Sequence, residues 1–527
     1  MLITLLLALL LPVGQTTEAI SDDALFLVEE FERYYPRQEH PAQRREAILT
    51  LRDASSLRAT VALMPALEDE EYLVRRAAID VLCGYTDPAA GQFLVEGVLE
   101  DRKLKKNDRL VAAVAEVLGG MRYEAALGRL QALLEHDELS VRLGATNGLG
   151  RMGRVEAVSS LAWLIDPDNG AEEALQVAAV RALEQIGNVD AARPALLVAL
   201  ARGSKPVQIA AVAAAHALPH KDLIAPLIEL LDESRDPRVA EDAHGVLVDI
   251  TLRTFPDTKS DWQTWWLRAV ATWVLPDAEL VKAARARLAT QGSKYATGKS
   301  FQGIETKSDN ILFVIDVSES MNQPFGDPER LEQSGRTYKS NQRLDIVKEE
   351  LIGTIEALPE TTAFNIVSFA TAVEHWKKRP ATANVLNKSN AQSWVDDLEP
   401  LGGAATTFRA RAGLAGGGGE AVGQTNTHLA LMTAFGEEVE KKKKRKRAKP
   451  RELVTELSDP IDTIYFLTDG EPTVGVTTDM NEIRDEVRRL NGFRGVQLHV
   501  IYVGTHGGGQ FKLLAEENGG VFVSVGS

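Results

Sequence analysis

Cysteine is almost absent from this 527-residue sequence, in which Cys83 is the only one. A single thiol excludes an intrachain disulfide and any metal site built from several cysteines. We interpret Cys83 as a small buried helix residue. An exported protein of this composition would therefore depend on its hydrophobic core alone for stability.

The sequence also lacks the motifs that indicate catalysis. Its nine histidines are scattered, and no G-x-S-x-G, H-E-x-x-H or Walker pattern is present. The glycine run 416–419 is not followed by the Lys-Ser/Thr pair of a phosphate-binding loop. His428 has no identifiable nucleophile beside it. We therefore predict that the protein is not an enzyme; a metal-assisted hydrolase is the alternative, because Mg²⁺ can polarise phosphoryl groups.

Basic residues are fewer than acidic ones, and aromatic residues are few. Aromatics make up 6% of the chain, and 75 acidic residues against 59 basic ones give a formal net charge of −16. This balance argues against nucleic-acid binding and is compatible with cation binding. The basic run KKKKRKR at 441–447 is interpreted as a solvated loop, with binding to an acidic surface as the alternative.

Long apolar segments are scarce. One runs from Leu2 to Val13, is interrupted by Pro12, and is shorter than the roughly 18 residues that span a bilayer. Small residues follow it between Gly14 and Ala19. We predict a cleaved secretory signal peptide at 1–19, and hence an exported protein with no membrane span after cleavage. An uncleaved anchor or a buried first helix is the alternative.

The region 22–275 repeats itself at intervals of 32 to 35 residues. The copy that begins at Val74, VRRAAIDVLCG, is typical. An alanine recurs four residues into each copy, at Ala78, Ala113, Ala145, Ala179, Ala211 and Ala243, and Ala47 marks an earlier copy. An apolar residue recurs four positions later, at Leu82, Val117, Leu149, Leu183, Ala215 and Leu247. This spacing predicts one helical face, with the small residue where two helices approach closely.

Stacked helix pairs of this period form an α-solenoid. The pattern V-R-x-A-A-x-x-A-L-x-x-I-G resembles HEAT-like repeats, in particular the short variety related to phycobilin-lyase repeats. The resemblance implies an all-α domain that offers a binding surface, with a rigid spacer as the alternative. Trp262, Trp265 and Trp266 are expected to cap the end of its core rather than to form a stacking platform. A last helix and a polar linker are expected at 276–303.

From residue 304 to 527 short apolar runs alternate with amphipathic stretches. Strands are predicted at Ile311–Ile315, Phe364–Phe369, Thr463–Leu467, Leu498–Val503 and Val521–Val525. Helices are predicted at Arg343–Leu358, Thr427–Val439, Met480–Leu490 and Gln510–Asn518. Such alternation specifies a doubly wound, Rossmann-like α/β domain with a parallel sheet and helices on both faces.

Oxygen-bearing side chains gather at the ends of these elements. Asp316, Ser318 and Ser320 follow the first strand in FVIDVSESM, Thr425 opens a helix in GQTNTHLAL, and Asp469 follows a later strand in IYFLTDGEP. In the predicted topology all five reach one edge of the sheet. Two carboxylates and three hydroxyls, with neither His nor Cys, suit Mg²⁺, with Mn²⁺ or Ca²⁺ as alternatives.

This combination resembles the von Willebrand factor A domain and its metal-ion-dependent adhesion site: D-x-S-x-S, a distant Thr, and a distant Asp in a T-D-G turn. The resemblance implies that the hydroxyls of Ser318, Ser320 and Thr425 bind the ion directly, whereas Asp316 and Asp469 act through water. It also implies an open coordination position that an acidic residue of a partner fills. Loop caps without any metal are the alternative interpretation.

Two features depart from the family pattern. Glu319 stands where the family usually has Gly, and its side chain either points outward or competes with a metal ligand. Insertions are expected at about 404–423 and 440–458. The first is Gly-rich and is interpreted as a tolerated surface loop, with gating of the metal as the alternative. Thr425 is preferred to the earlier Thr406 and Thr407, because an amphipathic helix follows it.

The combined pattern predicts a non-catalytic, exported protein that binds a protein partner's acidic group through a divalent cation. The helical repeats would serve as a scaffold or as a second contact surface. Two alternatives stay open: an enzyme or enzyme accessory subunit, and a cytoplasmic scaffold of a larger complex. The sequence specifies neither the partner nor the oligomeric state.

Overall fold

The computed structural model describes residues 21–232, 235–277, 279–281, 300–301, 304–305, 308–325, 340–401, 423–436, 461–504 and 508–525. The chain divides into two compact units, with the main boundary between residues 283 and 284. The predicted signal peptide, most of the predicted linker and the predicted insertions, apart from Gly423, lie outside the described residues. Within the described ranges, no helix combines the length and apolar character needed to cross a membrane.

The N-terminal unit is helical. Its α-helices are α1 (Asp22–Tyr34), α2 (Pro41–Leu49), α3 (Leu57–Leu63), α4 (Tyr72–Cys83), α5 (Pro88–Phe93), α6 (Asp108–Gly120), α7 (Leu127–Leu133), α8 (Leu139–Met152), α9 (Val158–Ile165), α10 (Glu173–Ile186), α11 (Val189–Arg202), α12 (Lys205–Ala217), α13 (Lys221–Glu229), α14 (Pro237–Thr251) and α15 (Lys259–Ala269). Side chains cap several of the helix N-termini. Asn107, which precedes α6, accepts a hydrogen bond from the Leu110 N–H through its side chain and so satisfies an otherwise unpaired backbone donor.

The helices alternate between two layers, as stacked helix pairs require. Even-numbered helices pack on one another in order from α2 to α12, and odd-numbered helices pack on one another from α9 to α15. The recurring alanines all lie on even-numbered helices, and none is more than 7% exposed. The apolar residue four positions later is fully buried in all six copies. The predicted repeat face is therefore confirmed as the packing face of one layer.

The contact between α6 and α8 is backbone against backbone. A Cβ atom added at Gly148 would lie 2.3 Å from the carbonyl oxygen of Ala115, and one at Gly144 would lie 2.4 Å from that of Ala112. Atoms this close overlap, so the helices can pack only because these positions carry no side chain.

The tryptophan cluster lies on α15. Trp262 is fully buried, its indole N–H donates to the Pro256 carbonyl at 2.9 Å, and its ring meets Phe255 edge-on. Trp266 is 9% exposed, and α15 packs on α13. The burial of Trp262 and Trp266 agrees with the predicted packing role, and Trp265 is half-buried.

The C-terminal unit is α/β. A short antiparallel pair, β1 (Ser300–Phe301) and β2 (Ile304–Glu305), comes first. The main sheet contains β3 (Asn310–Asp316), β4 (Ala363–Phe369), β5 (Val373–His375), β6 (Ala381–Thr382), β7 (Thr463–Thr468), β8 (Gln497–Val503) and β9 (Phe522–Val525). The helices are α16 (Arg343–Ala357), α17 (Val385–Asp396), α18 (Thr427–Ala434), α19 (Met480–Asn491) and α20 (Gly509–Glu517).

The strand order is β5-β4-β3-β7-β8-β9, with β6 also paired to β4. Five strands run parallel to one another, in the order β4, β3, β7, β8 and β9. Strands β5 and β6 run antiparallel to β4. The predicted doubly wound fold is confirmed, but the sheet is not purely parallel. The edge strands escaped prediction because two or three residues are too few to show an alternation.

Two helix predictions were inaccurate. Helix α17 was missed, since only Ala391 and Val395 of its twelve residues are buried, too few to form a helical stripe in the sequence. The helix that begins at Thr427 ends at Ala434, and not at Val439. Gly436, with a φ of +71°, lies in the left-handed region that commonly ends a helix.

Both faces of the sheet are covered, which explains the uninterrupted apolar run of β3. Phe313 and Ile315 pack in one core with α16 and α17. Leu312 and Val314 pack in a second core with α18, α19 and α20. Strand β3 lies between β4, which follows it directly in the sequence, and β7, which comes later. The strand order therefore reverses direction at β3, and such a switch point is where sheets of this kind bind ligands.

Candidate metal centre

The carboxyl end of β3 lies between the ends of β4 and β7. Asp316 is in register with Phe369 of β4, and Ile315 is in register with Leu467 of β7. After Asp316 the chain leaves the sheet and enters a short 3-10 turn, Glu319–Asn322. The sheet thus brings the D-x-S-x-S segment beside the T-D-G segment.

Asp316 is fully buried, with neutral hydrogen-bond donors on both carboxylate oxygens. Its Oδ1 accepts from the Ser318 N–H at 2.8 Å, and its Oδ2 accepts from the Thr468 hydroxyl at 2.7 Å. Burial, together with the nearby charge of Asp469, raises the pKa of Asp316 to about 7. Among the described residues no cationic side chain pairs with this carboxylate, which is the environment that a bound cation would stabilise.

A chain of hydroxyl contacts joins the D-x-S-x-S loop to Asp469. The Ser318 and Ser320 hydroxyl oxygens are 3.1 Å apart, and Ser320 donates to Asp469 Oδ1 at 2.7 Å. The Asp469 side chain is fully buried. Direct contacts therefore link four residues, Asp316, Ser318, Ser320 and Asp469. Ser320 and Asp469 are in contact although they lie 149 residues apart in the sequence.

Backbone bonds hold the Thr425 segment against the two other loops. The Thr425 N–H donates to the Thr473 hydroxyl at 2.9 Å, and the Thr425 carbonyl accepts from the Thr473 N–H at 2.9 Å. The Gly423 carbonyl accepts from the Glu319 N–H at 3.0 Å. Thr425 is buried, and in the described part of the chain its hydroxyl makes no hydrogen bond to the other four predicted residues. The segment is adjacent, but Thr425 is the least connected member of the set.

Glu319 is exposed. Of the two orientations that the sequence left open, the structure has the outward one. The residue contributes its backbone N–H to the contact with Gly423.

Two further residues at this site escaped prediction. Arg343 Nη1 donates to Asp469 Oδ2 at 2.7 Å and forms an ion pair with it. Thr468, the Thr of the T-D-G turn, donates to Asp316. Thr468 had a signal in the sequence, because it precedes Asp469 within the motif. Arg343 had none, since it lies 126 residues from its partner and simply begins a predicted helix.

The donor set fits a hard divalent cation. Within the described residues no group of three or more His, Cys, Asp or Glu side chains is placed so that it could hold a metal ion. The cluster at β3 instead combines two buried carboxylates with hydroxyl oxygens, which are the ligands that Mg²⁺ accepts together with water.

Comparison with known proteins supports the fold. The family model described as von Willebrand factor type A domain matches residues 333–433. Inter-alpha-trypsin inhibitor heavy chain H4 of Bos taurus is 26% identical over 189 residues, which cover 36% of this chain and 15% of that protein. Heavy chain H1 of Mesocricetus auratus is 28% identical over 194 residues, which cover 37% of this chain and 16% of that protein.

Among solved structures, an aerotolerance-related membrane protein from Bacteroides fragilis aligns over 41% of this chain and 90% of its own, with 14% identity and a TM-score of 0.25. A superposition this loose contributes nothing to the assignment. The present chain spans about 15% of the length of the curated relatives that it matches. The doubly wound sheet agrees with this match, and the C-terminal unit contains, at residues 333–433, a segment that matches the von Willebrand factor type A domain family.

Proposed function

We propose that this domain binds a protein partner through a divalent cation held by Asp316, Ser318, Ser320, Thr425 and Asp469. The observation that carries the proposal is the connected cluster at the switch point of the sheet. It joins two buried carboxylates: Asp316 accepts from the Ser318 N–H, and the Ser318 and Ser320 hydroxyls lead from there to Asp469. A fully buried carboxylate with only neutral donors is costly without a compensating positive charge.

Each residue has a distinct role in this proposal. The hydroxyls of Ser318, Ser320 and Thr425 would contact the ion, and the carboxylates of Asp316 and Asp469 would orient its water ligands. Thr468 holds Asp316 through the 2.7 Å hydrogen bond. The ion, Mg²⁺ with Mn²⁺ or Ca²⁺ as alternatives, would supply positive charge and an open position. Because neutral hydroxyls are its direct protein ligands, it keeps a strong attraction for an incoming carboxylate.

The remaining parts of the proposal concern the whole protein. We propose a non-catalytic interaction protein that is exported through its N-terminal segment. The helical repeats would be a scaffold or a second contact surface, because stacked helix pairs present extended faces. The relatives support a role in protein interaction only through their shared domain, since the alignment covers a small part of them.

The test is capture of partners by the purified chain, with and without Mg²⁺. We expect a set of proteins that is retained in Mg²⁺, is released by EDTA and is lost with Asp316→Ala. Glu319→Gln is the matched control, because that carboxylate is exposed in the same loop, and it should retain the set. A captured protein whose contacting Asp or Glu is changed to the amide should no longer bind. Capture that survives both EDTA and Asp316→Ala would contradict the proposal.

A further inference from the structure

Arg343 places a fixed positive charge inside the cluster proposed to hold a divalent cation. Its Nη1 donates to Asp469 Oδ2 at 2.7 Å, while Ser320 donates to Oδ1 of the same carboxylate at 2.7 Å. Both oxygens of Asp469 are thus engaged by the protein. The two carboxylates are not equivalent, since Asp316 accepts only from neutral donors.

The backbone holds Arg343 in this place. The Arg343 N–H donates to the Gln323 carbonyl at 3.1 Å, and the Phe325 N–H donates to the Asn341 carbonyl at 2.7 Å. An antiparallel bridge pairs Pro324 with residue 342. The start of α16 is therefore attached to the chain that has just left the D-x-S-x-S loop, and the guanidinium faces the site before any ligand arrives.

The contact is not optimised for stability. The Arg343 Nε is buried and has no hydrogen-bond partner among the described residues, although a guanidinium binds a carboxylate best through two parallel bonds. A buried donor left without a partner costs stability, and such a group in a native structure calls for a functional explanation. The side chain is 17% exposed, so it retains a path to solvent.

We infer that Arg343 is an internal counter-ion that competes with the divalent cation for Asp469 and thereby sets the cation affinity of the site. This inference rests on the proposed metal centre. In the metal-free state the guanidinium neutralises one of the two buried carboxylates and keeps the cluster assembled. Cation binding must then overcome repulsion from a neighbouring positive charge and loosen the Arg343–Asp469 pair. Occupancy of the site would follow the surrounding cation concentration instead of being permanent.

The test compares Mg²⁺ binding by the full chain with binding by Arg343→Gln, measured by calorimetric titration at about pH 8, where free carboxyl groups are ionised. We expect the variant to bind Mg²⁺ about tenfold more tightly or better, because a unit charge so close to the ion is removed. Arg343→Lys keeps the charge and should bind within a few-fold of the parent. Arg488→Gln removes the same charge from an exposed position on α19 and should leave the affinity unchanged.

A second readout keeps the test decisive if Arg343→Gln is poorly stable. Without metal this variant should melt at a lower temperature than the parent, and the stabilisation by Mg²⁺ should be larger, since ligand stabilisation grows with affinity. Equal or weaker Mg²⁺ binding by Arg343→Gln would overturn the role of Arg343 alone. Absence of Mg²⁺ binding in the parent and in every variant would overturn the metal centre, and this inference with it.

Discussion

Asp316 and Asp469 are both buried at the same site, but their surroundings differ. Asp469 is compensated by Arg343 and Ser320, whereas Asp316 depends on a backbone N–H and a hydroxyl. This difference explains why burial raises the pKa of Asp316 to about 7. In the proposed metal centre, Asp316 is therefore the residue whose charge the cation would stabilise most.

The pH dependence of the metal-free protein tests this view of Asp316. The pKa of Asp in an unfolded chain is about 3.9, and the pKa of Asp316 in the folded state is about 7, so the folded state binds the proton more tightly. The contribution is fully present below about pH 4 and is lost as the pH rises through 7. Asp316→Asn should remove this loss and be more stable than the parent at about pH 8, by up to roughly 4 kcal/mol.

Chemical unfolding in EDTA at about pH 5 and pH 8 measures the effect as a difference between variant and parent. The advantage of Asp316→Asn should shrink at the lower pH, where the parent carboxyl is protonated. Asp397→Asn, which changes an exposed carboxyl, should show no such trend. An advantage of equal size at both pH values would contradict the assignment.

At the scale of elements, the helical unit depends on small residues between neighbouring helices. The recurring alanines are buried on the even-numbered helices, and α6 and α8 approach until backbone atoms are in contact. Repeats of this kind are stabilised by each interface with the next repeat. A single oversized residue at such an interface should therefore weaken the stack.

Gly148→Ala tests the α6–α8 contact, because its Cβ would lie 2.3 Å from the Ala115 carbonyl oxygen. We expect a loss of roughly 1–3 kcal/mol, as for other overpacked cores. Gly245→Ala is the matched control in α14, where nothing lies within 4 Å of the added Cβ. It should be neutral or stabilising, since Ala favours a helix by about 1 kcal/mol over Gly. Urea unfolding followed by helical circular dichroism measures both, and a Gly148→Ala protein as stable as the parent would contradict this packing.

The elements that could be predicted were those with a strong pattern in the sequence. The buried strand from Ile311 to Ile315 was evident from its apolar run, and the helices with Ala78 or Ala179 were evident from the repeat. Short edge strands and the sparsely buried α17 have no such pattern. Strands β5 and β6 form on the edge of β4, and α17 packs on α16, so these elements depend on tertiary contacts.

The residues of the site also fall into those that the sequence could place and one that it could not. The sequence was sufficient to predict that four of these residues lie close together, because parallel strands end at a common edge. They are Asp316, Ser318, Ser320 and Asp469. The pairing of Arg343 with Asp469 could not be predicted, because a long side chain can reach in many directions from a helix start. Only the backbone pairing that follows the loop at Ser320 fixes where it points.

On the scale of the whole molecule, the chain contains two units that differ in what stabilises them and in the groups that they present. One gains stability from repeated helix interfaces, and the other presents polar atoms at the edge of a buried sheet. The net charge of −16 attracts cations to any part of the surface. Weak, scattered Mg²⁺ binding is therefore expected in addition to the proposed centre, and the two must be separated by variants of the centre itself.

Calorimetric titration of the full chain with Mg²⁺ tests the central claim most directly. The parent and Glu319→Gln should show one saturable site above the weak background. The double variant Ser318→Ala and Ser320→Ala should lose that site, because two of the proposed direct ligands are gone while both carboxylates remain. Circular dichroism should show that the double variant is folded. If the double variant binds Mg²⁺ with the same stoichiometry and affinity as the parent, the cation is not held at the end of β3.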